Sequence, residues 1–215
     1  MKIAVLFRGP LRPNPASVEQ KVRWFMQQFN GAQAEVHTYL ATWRNWHHHK
    51  ASDLMNLDLF NNVLMQTEPN AEQAKRCTQL SELRNGSVIQ NVFNMYYQSK
   101  TAIDFICDAN DYDYIVHTRT DLYMALGDVG KWFDPGYYVA PHVHPNPWMC
   151  DQFGVAPAAM MQKAWDYGTL DNLNRLFEAA AIPESVLQTM IDEAGIPVRT
   201  EQYAHWELDS MRSTA

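Results

Sequence analysis

Short apolar runs bounded by turn formers alternate along the chain with stretches whose apolar positions recur at helical spacing. Lys2 to Phe7 is such a run and predicts a first strand. The segment Arg8-Gly9-Pro10-Leu11-Arg12-Pro13 ends it, because one glycine and two prolines break a ladder. Val18, Val22, Phe25, Met26 and Phe29 then recur as one helical face, capped by Ser17 and stopped by Asn30-Gly31. Ala34 to Tyr39 predicts a second strand and Asn61 to Gln66 a third. Ala71 to Leu83 predicts a surface helix and Ser87 to Asp108 a long, largely buried one, with Asn85-Gly86 between them. Further on, Gly136 to Ala140 and Asp151 to Ala156 read as strands, and Ala158 to Tyr167, Leu170 to Ala181 and Glu184 to Ala194 as helices. Gly195 is the stop, and Ile196 to Trp206 is extended. Strand and helix repeating in this order predict an α/β fold: three α/β/α layers around a mainly parallel, mixed sheet.

One stretch organises the rest. Tyr114 to His117 is rich in β-branched and aromatic residues, follows the turn formers Asn110-Asp111, and leads into Arg119 and Asp121. Side chains just past the carboxyl end of a central strand line the crevice where open α/β sheets bind ligands. Arg119 and Asp121 either lean over that crevice or form a solvated turn with a local ion pair.

Composition limits the function. With 215 residues, 47% hydrophobic and 19% charged, the chain suits one domain, 1–215, with a full core. A formal charge of -7 speaks against a general nucleic-acid binder. Cys77, Cys107 and Cys150 are odd in number and far apart, which suggests neither a disulfide framework nor a zinc site and points to a reducing compartment. Ile3 to Phe7 is too short for a signal core, and no run approaches the ~20 apolar residues of a membrane span. The expectation is a cytoplasmic protein, with peripheral contact at the inner membrane left open and the oligomeric state unspecified.

The histidines and tryptophans offer weaker signals. His47-His48-His49 is a polar loop. His142 and His144 point the same way if their proline-held loop is extended, and with His205 they would complete a metal site; otherwise they are loop residues near the cleft. Trp43, Trp46, Trp132, Trp148 and Trp206 include candidates for stacking on a sugar or base, although most tryptophans simply fill a core.

Taken in order, Arg8 to Arg12, Val36 to Tyr39, Asn94 to Lys100, Tyr112 to Leu122 and Asp151 to Gly154 resemble segments of a family of bacterial and viral glycosyltransferase-like proteins with the nucleotide-diphospho-sugar transferase (GT-A) fold. Gly9 and Arg12 match its Ser-Gly-x-x-Arg loop, with Arg8 in place of the serine, and Val36-His37-Thr38-Tyr39 mirrors a His-Thr-Trp-like segment. Asn94 to Lys100 resembles a Met-Tyr-x-Ser helix, Tyr112 to Leu122 a Tyr-Asp-x-Ile-x-x-Thr-Arg-x-Asp-Leu strand, and Asp151 to Gly154 an Asp-x-Phe-x-x-Gly-like run. The resemblance spans roughly residues 1 to 165. It implies transfer of a sugar from a nucleotide-diphosphate donor to a glycan, lipopolysaccharide-type or other hydroxyl acceptor. Donor contacts would come from Phe7, Arg8, Gly9, Arg12 and Arg119, and catalytic carboxylates from Asp121 and Asp151. Mn²⁺ or Mg²⁺ would be held at Asp121, with His142, His144 and His205 as further candidates.

Where such enzymes usually carry Asp-x-Asp, this chain has Arg119-Thr120-Asp121. Asp121 could still hold an ion among water and diphosphate oxygens, or Arg119 itself could offset phosphate charge. Two alternatives accompany the transferase expectation. One is a non-catalytic nucleotide-sugar or glycan binder of the same fold. The other is a metallohydrolase using His142, His144, Asp121 and Asp151.

Overall fold

A computed structural model of the chain describes residues 1–11, 15–43, 58–66, 77–78, 80–142 and 149–208. Its centre is β1 (Lys2–Arg8), in which every residue after Lys2 is buried. Such a continuous apolar run belongs in a parallel strand covered on both faces. On one side β1 pairs in parallel with β2 (Glu35–Trp43), which pairs in parallel with β3 (Asn62–Gln66). On the other side it pairs in parallel with β4 (Tyr114–Arg119), so that Arg8 stands level with Arg119.

Helices cover both faces of the sheet. Helix α1 (Pro15–Gln27) joins β1 to β2 and packs Val18, Val22 and Phe25 against Ile3, Val5 and Phe7. Helix α2 (Ile89–Ala109) returns the chain to β4 across the opposite face, placing Val92, Tyr96, Ile103 and Ile106 against Ala4, Leu6 and Ile115. The alternation of a strand's side chains decides this split: odd residues of β1 face α1 and even ones face α2. Because the sheet grows first to one side of β1 and then to the other, the ends of β1 and β4 form a topological switch point.

Beyond β4 the chain forms β5 (Leu122–Ala125), a 3-10 turn at Val129–Trp132, β6 (Tyr138–Pro141) and β7 (Phe153–Pro157). Helices α3 (Ala158–Trp165), α4 (Leu170–Ala179) and α5 (Pro183–Glu193) follow, then β8 (Val198–Glu201) and β9 (His205–Leu208). Among the described residues the main sheet has the order β3-β2-β1-β4-β7-β6-β8, with β7 antiparallel to β4 and β6, and β5 and β9 form a separate antiparallel pair. Gly154 of β7 is required by packing, since a Cβ there would lie closer than 3.0 Å to ring atoms of Tyr138. No helix among the described residues is long and apolar enough to cross a membrane.

Several expectations shift. Helix α1 starts at Pro15, before Ser17, because proline's fixed φ suits the first helical position. β2 runs on to Trp43, and β5 had no recognised signal in so short a segment. The helix expected over 71–83 falls mostly outside the described residues, and its end is extended instead: Glu82 bridges Val88 and Leu83 N–H donates to Ser87 across the Asn85-Gly86 turn.

Candidate functional site

A cavity of about 580 Å³ opens at the carboxyl ends of β1 and β4. Its floor is the loop after β1. Gly9 adopts φ +112°, a backbone conformation that favours glycine. The loop is stitched to both neighbouring strands: Gly9 N–H donates to the Ala41 carbonyl at 3.1 Å, and the Thr120 hydroxyl donates to the Pro10 carbonyl at 2.5 Å.

Arg8 is buried beneath this loop. Its Nε donates to His117 Nε2 at 2.6 Å, its Nη2 donates to the Asp151 carbonyl at 2.5 Å, and its guanidinium lies over the Trp165 ring. Burial lowers its pKa to about 10, with the Asp151 carboxyl pulling the other way, so it stays protonated at neutral pH. His117 accepts at Nε2, which makes it the neutral tautomer with its proton on Nδ1. Burial, then the charges of Arg8 and Arg119, hold its pKa well below the usual histidine range.

Arg119 and Asp121 form a two-bond fork: Nε donates to Oδ1 and Nη2 to Oδ2, each at 2.7 Å. Burial alone would raise the Asp121 pKa, but the Arg119 bonds and charge outweigh it and the carboxyl sits below its ordinary value. The pair is therefore ionised and 1% exposed on the Asp121 side. The buried Lys21 of α1 adds a second positive charge nearby.

Asp151 precedes β7 and is 4% exposed, with Oδ1 buried and lacking a hydrogen-bond partner among the described residues. Burial raises its pKa against the opposing charges of Arg8 and Arg119. Glu184, in the first turn of α5, lines the same cavity and is raised by burial and by Asp151. Helix α2 supplies a polar wall of Asn91, Asn94 and Gln98, and Trp43 at the end of β2 forms part of the rim. Gln98 Nε2 is buried and, among the described residues, unpartnered. An anion with hydroxyl-rich appendages suits such a lining: two guanidinium groups, amides that both donate and accept, a carboxyl of raised pKa and an aromatic ring.

The structure brings together Arg8, Gly9, Arg119 and Asp151 of the expected site, with Asp121 immediately behind Arg119. Arg12 and His144 lie outside the described residues, as do Trp46, Trp148 and His47 to His49. Phe7 does not line the cavity: strand alternation turns it away from Arg8, and its ring packs edge-on against Phe25 and Phe60 in the α1 layer. His142 follows β6 and His205 begins β9, and neither lines the cavity. Among the described residues no three His, Cys, Asp or Glu side chains come together as a metal site, and both Asp121 oxygens are engaged by Arg119. The described residues therefore do not fit the Mn²⁺ or Mg²⁺ expected at Asp121, and the histidine–carboxylate set of a metallohydrolase includes His144, which lies outside them.

His117, Glu184 and the α2 amides were not among the expected site residues. The amides did leave a signal, since Asn91, Asn94 and Gln98 recur at helical spacing within a helix otherwise apolar enough to be buried.

No family model matches the chain, and no curated protein matches it. Solved structures of similar fold exist. The catalytic domain of Drosophila beta-1,4-galactosyltransferase 7, solved with xylobiose, superposes with a TM-score of 0.50 at 13% identity, over 100% of this chain and 73% of that one. A mutant of the same Drosophila enzyme, solved with manganese, UDP-Gal and xylobiose, gives 0.48 at 16% identity over 94% of this chain and 65% of its own length. Mouse xyloside xylosyltransferase 1, in its apo form, gives 0.49 at 8% identity over 94% of this chain and 85% of that one. With its mixed, mostly parallel seven-stranded sheet between helical layers, the chain has a GT-A-like α/β fold.

Proposed function

We propose that the chain is a glycosyltransferase, moving a sugar from a nucleotide-diphosphate donor to a hydroxyl of a glycan or lipopolysaccharide-type acceptor. The observation that carries this reading is the pairing of Arg119 with Asp151 in one cavity at the switch point: a guanidinium for the diphosphate and a buried carboxyl with an unengaged oxygen among the described residues. The fold shared with a galactosyltransferase domain supports it. In the transfer, the acceptor oxygen bonds to the anomeric carbon and its proton passes to Asp151. The bond from that carbon to the phosphate oxygen breaks, with its electron pair leaving on the diphosphate.

Incubation with UDP-, GDP-, CMP- and dTDP-linked sugars and a glycan acceptor panel tests this, with nucleotide release as the readout. Asp151→Asn should lower turnover by roughly 10²- to 10⁴-fold, the usual worth of a positioned base, while donor binding persists. Unchanged turnover in that variant, or no donor bound by the native protein, would sink the reading. The engagement of both Asp121 oxygens by Arg119 favours one alternative, a nucleotide-sugar or glycan binder without transfer. Donor binding without any nucleotide release would select it.

A further inference from the structure

We infer that the positive charge a donor diphosphate meets in this cavity is the Arg119 guanidinium, held in place by Asp121, and that diphosphate binding needs no divalent cation. The inference rests on the donor-binding part of the proposed function and adds how the phosphate is recognised.

Three observations converge on it. A divalent ion prefers several oxygen ligands with accessible lone pairs. Asp121 accepts from Arg119 with both oxygens at 2.7 Å and is 1% exposed, so an ion would first have to break a charge-assisted fork. The carboxylates nearby are also already faced by protein cations. Asp121 is flanked by the charges of Arg119 and Lys21, and Asp151 by those of Arg8 and Arg119. A cation placed among them would face like charge in a poorly solvated setting.

Arg119 itself is equipped for the task. The fork to Asp121 uses two of a guanidinium's five N–H donors and fixes its plane, leaving three for a ligand. Arg119 lines the cavity with its side chain 24% exposed, whereas Arg8, the other arginine there, is only 3% exposed and is held by His117 and the Asp151 carbonyl. A planar group with free donors matches phosphate oxygens in a two-bond manner that an ammonium cannot reproduce. Asp121 is then a positioning residue.

Calorimetric titration with UDP, GDP, CDP and dTDP, in EDTA and in Mn²⁺ at matched ionic strength, tests the inference. The nucleotide that binds should do so in EDTA, with affinity changed less than about tenfold by Mn²⁺. Arg119→Lys should weaken it roughly 10- to 100-fold in both buffers, the span expected for a lost charged hydrogen bond. Asp121→Asn should weaken it without creating a Mn²⁺ requirement. The first comparison uses the native protein and so does not depend on a variant folding; melting curves confirm the variants. Binding seen only with Mn²⁺, or Arg119→Lys with native affinity, overturns the inference and leaves the transferase reading standing. Absence of binding in both buffers overturns both together.

Discussion

Arg8 and His117, on adjacent strands, share a 2.6 Å hydrogen bond in which the guanidinium donates to Nε2, and both side chains are buried. The bond defines the histidine's protonation. A proton on Nε2 would remove the acceptor and set two cations against each other, so folding favours the neutral ring.

Stability should accordingly respond to acid. In the unfolded chain His117 protonates near its ordinary pKa of about 6.5, whereas in the fold it protonates well below that. The unfolded state thus binds the extra proton in between. The contribution to stability is whole above about pH 6.5 and declines as pH falls toward the folded pKa. Urea midpoints at several pH values, compared with those of His117→Gln, isolate the effect: the variant should lack this portion of the acid dependence. His117→Leu, which leaves Arg8 Nε without its acceptor, should cost ~1–3 kcal/mol more than the glutamine variant. Equal midpoints for the two variants would count against the bond.

Packing across the sheet gives a second prediction. The Tyr138 ring lies on the bare backbone of Gly154, in the space a Cβ would need. Gly154→Ala should force the ring from its place and cost ~1–3 kcal/mol, as overpacking usually does. Pairing it with Tyr138→Ala should recover part of that loss relative to the sum of the single changes. A thermal melt of Gly154→Ala at the native midpoint would refute the contact.

The elements that were legible in the sequence are those whose burial is one-dimensional. β1, β4 and the long helix α2 carry their apolar runs wherever they are placed, and their order suffices to predict an open α/β sheet with its crevice near Arg8 and Arg119. The Arg119–Asp121 pair was legible as a local ion pair in a turn, since the two residues stand two positions apart where the strand ends. Its burial was not, because Lys21, whose charge also acts on Asp121, lies far away in sequence on a helix face that otherwise reads as apolar. The Arg8–His117 bond spans 109 positions and has no local signature. The direction of Phe7, by contrast, was legible: a residue adjacent to Arg8 in a strand points to the other layer.

Among the described tryptophans, Trp43 and Trp132 should separate binding from stability. Trp43 lines the cavity, while Trp132 is fully buried and donates Nε1–H to the Leu126 carbonyl at 3.0 Å. Trp43→Ala should weaken nucleotide or sugar binding by ~1–3 kcal/mol, the worth of an aromatic stacking platform, with little change in melting temperature. Trp132→Ala should instead lower stability by ~3–5 kcal/mol, as for other large-to-small core changes. Calorimetry and urea unfolding of the two variants check this, and a Trp43→Ala protein with native affinity would remove the indole from the site.

Asp151 should make ligand affinity depend on pH. Burial holds its carboxyl above the ordinary aspartate value of about 3.9, with Arg8 and Arg119 opposing. A bound diphosphate adds negative charge to the same cavity and favours the protonated carboxyl further. Binding is then accompanied by proton uptake, and affinity falls as pH rises through the Asp151 pKa. The phosphate's own titration also changes affinity, so the informative quantity is the ratio of native to Asp151→Asn affinity across pH. That ratio should drop on going upward from about pH 4, because the amide carries no charge at any pH. Calorimetry in buffers of different ionisation enthalpy measures the proton count directly. A native protein and an Asp151→Asn variant with parallel pH profiles and equal proton uptake would show that Asp151 does not face the diphosphate.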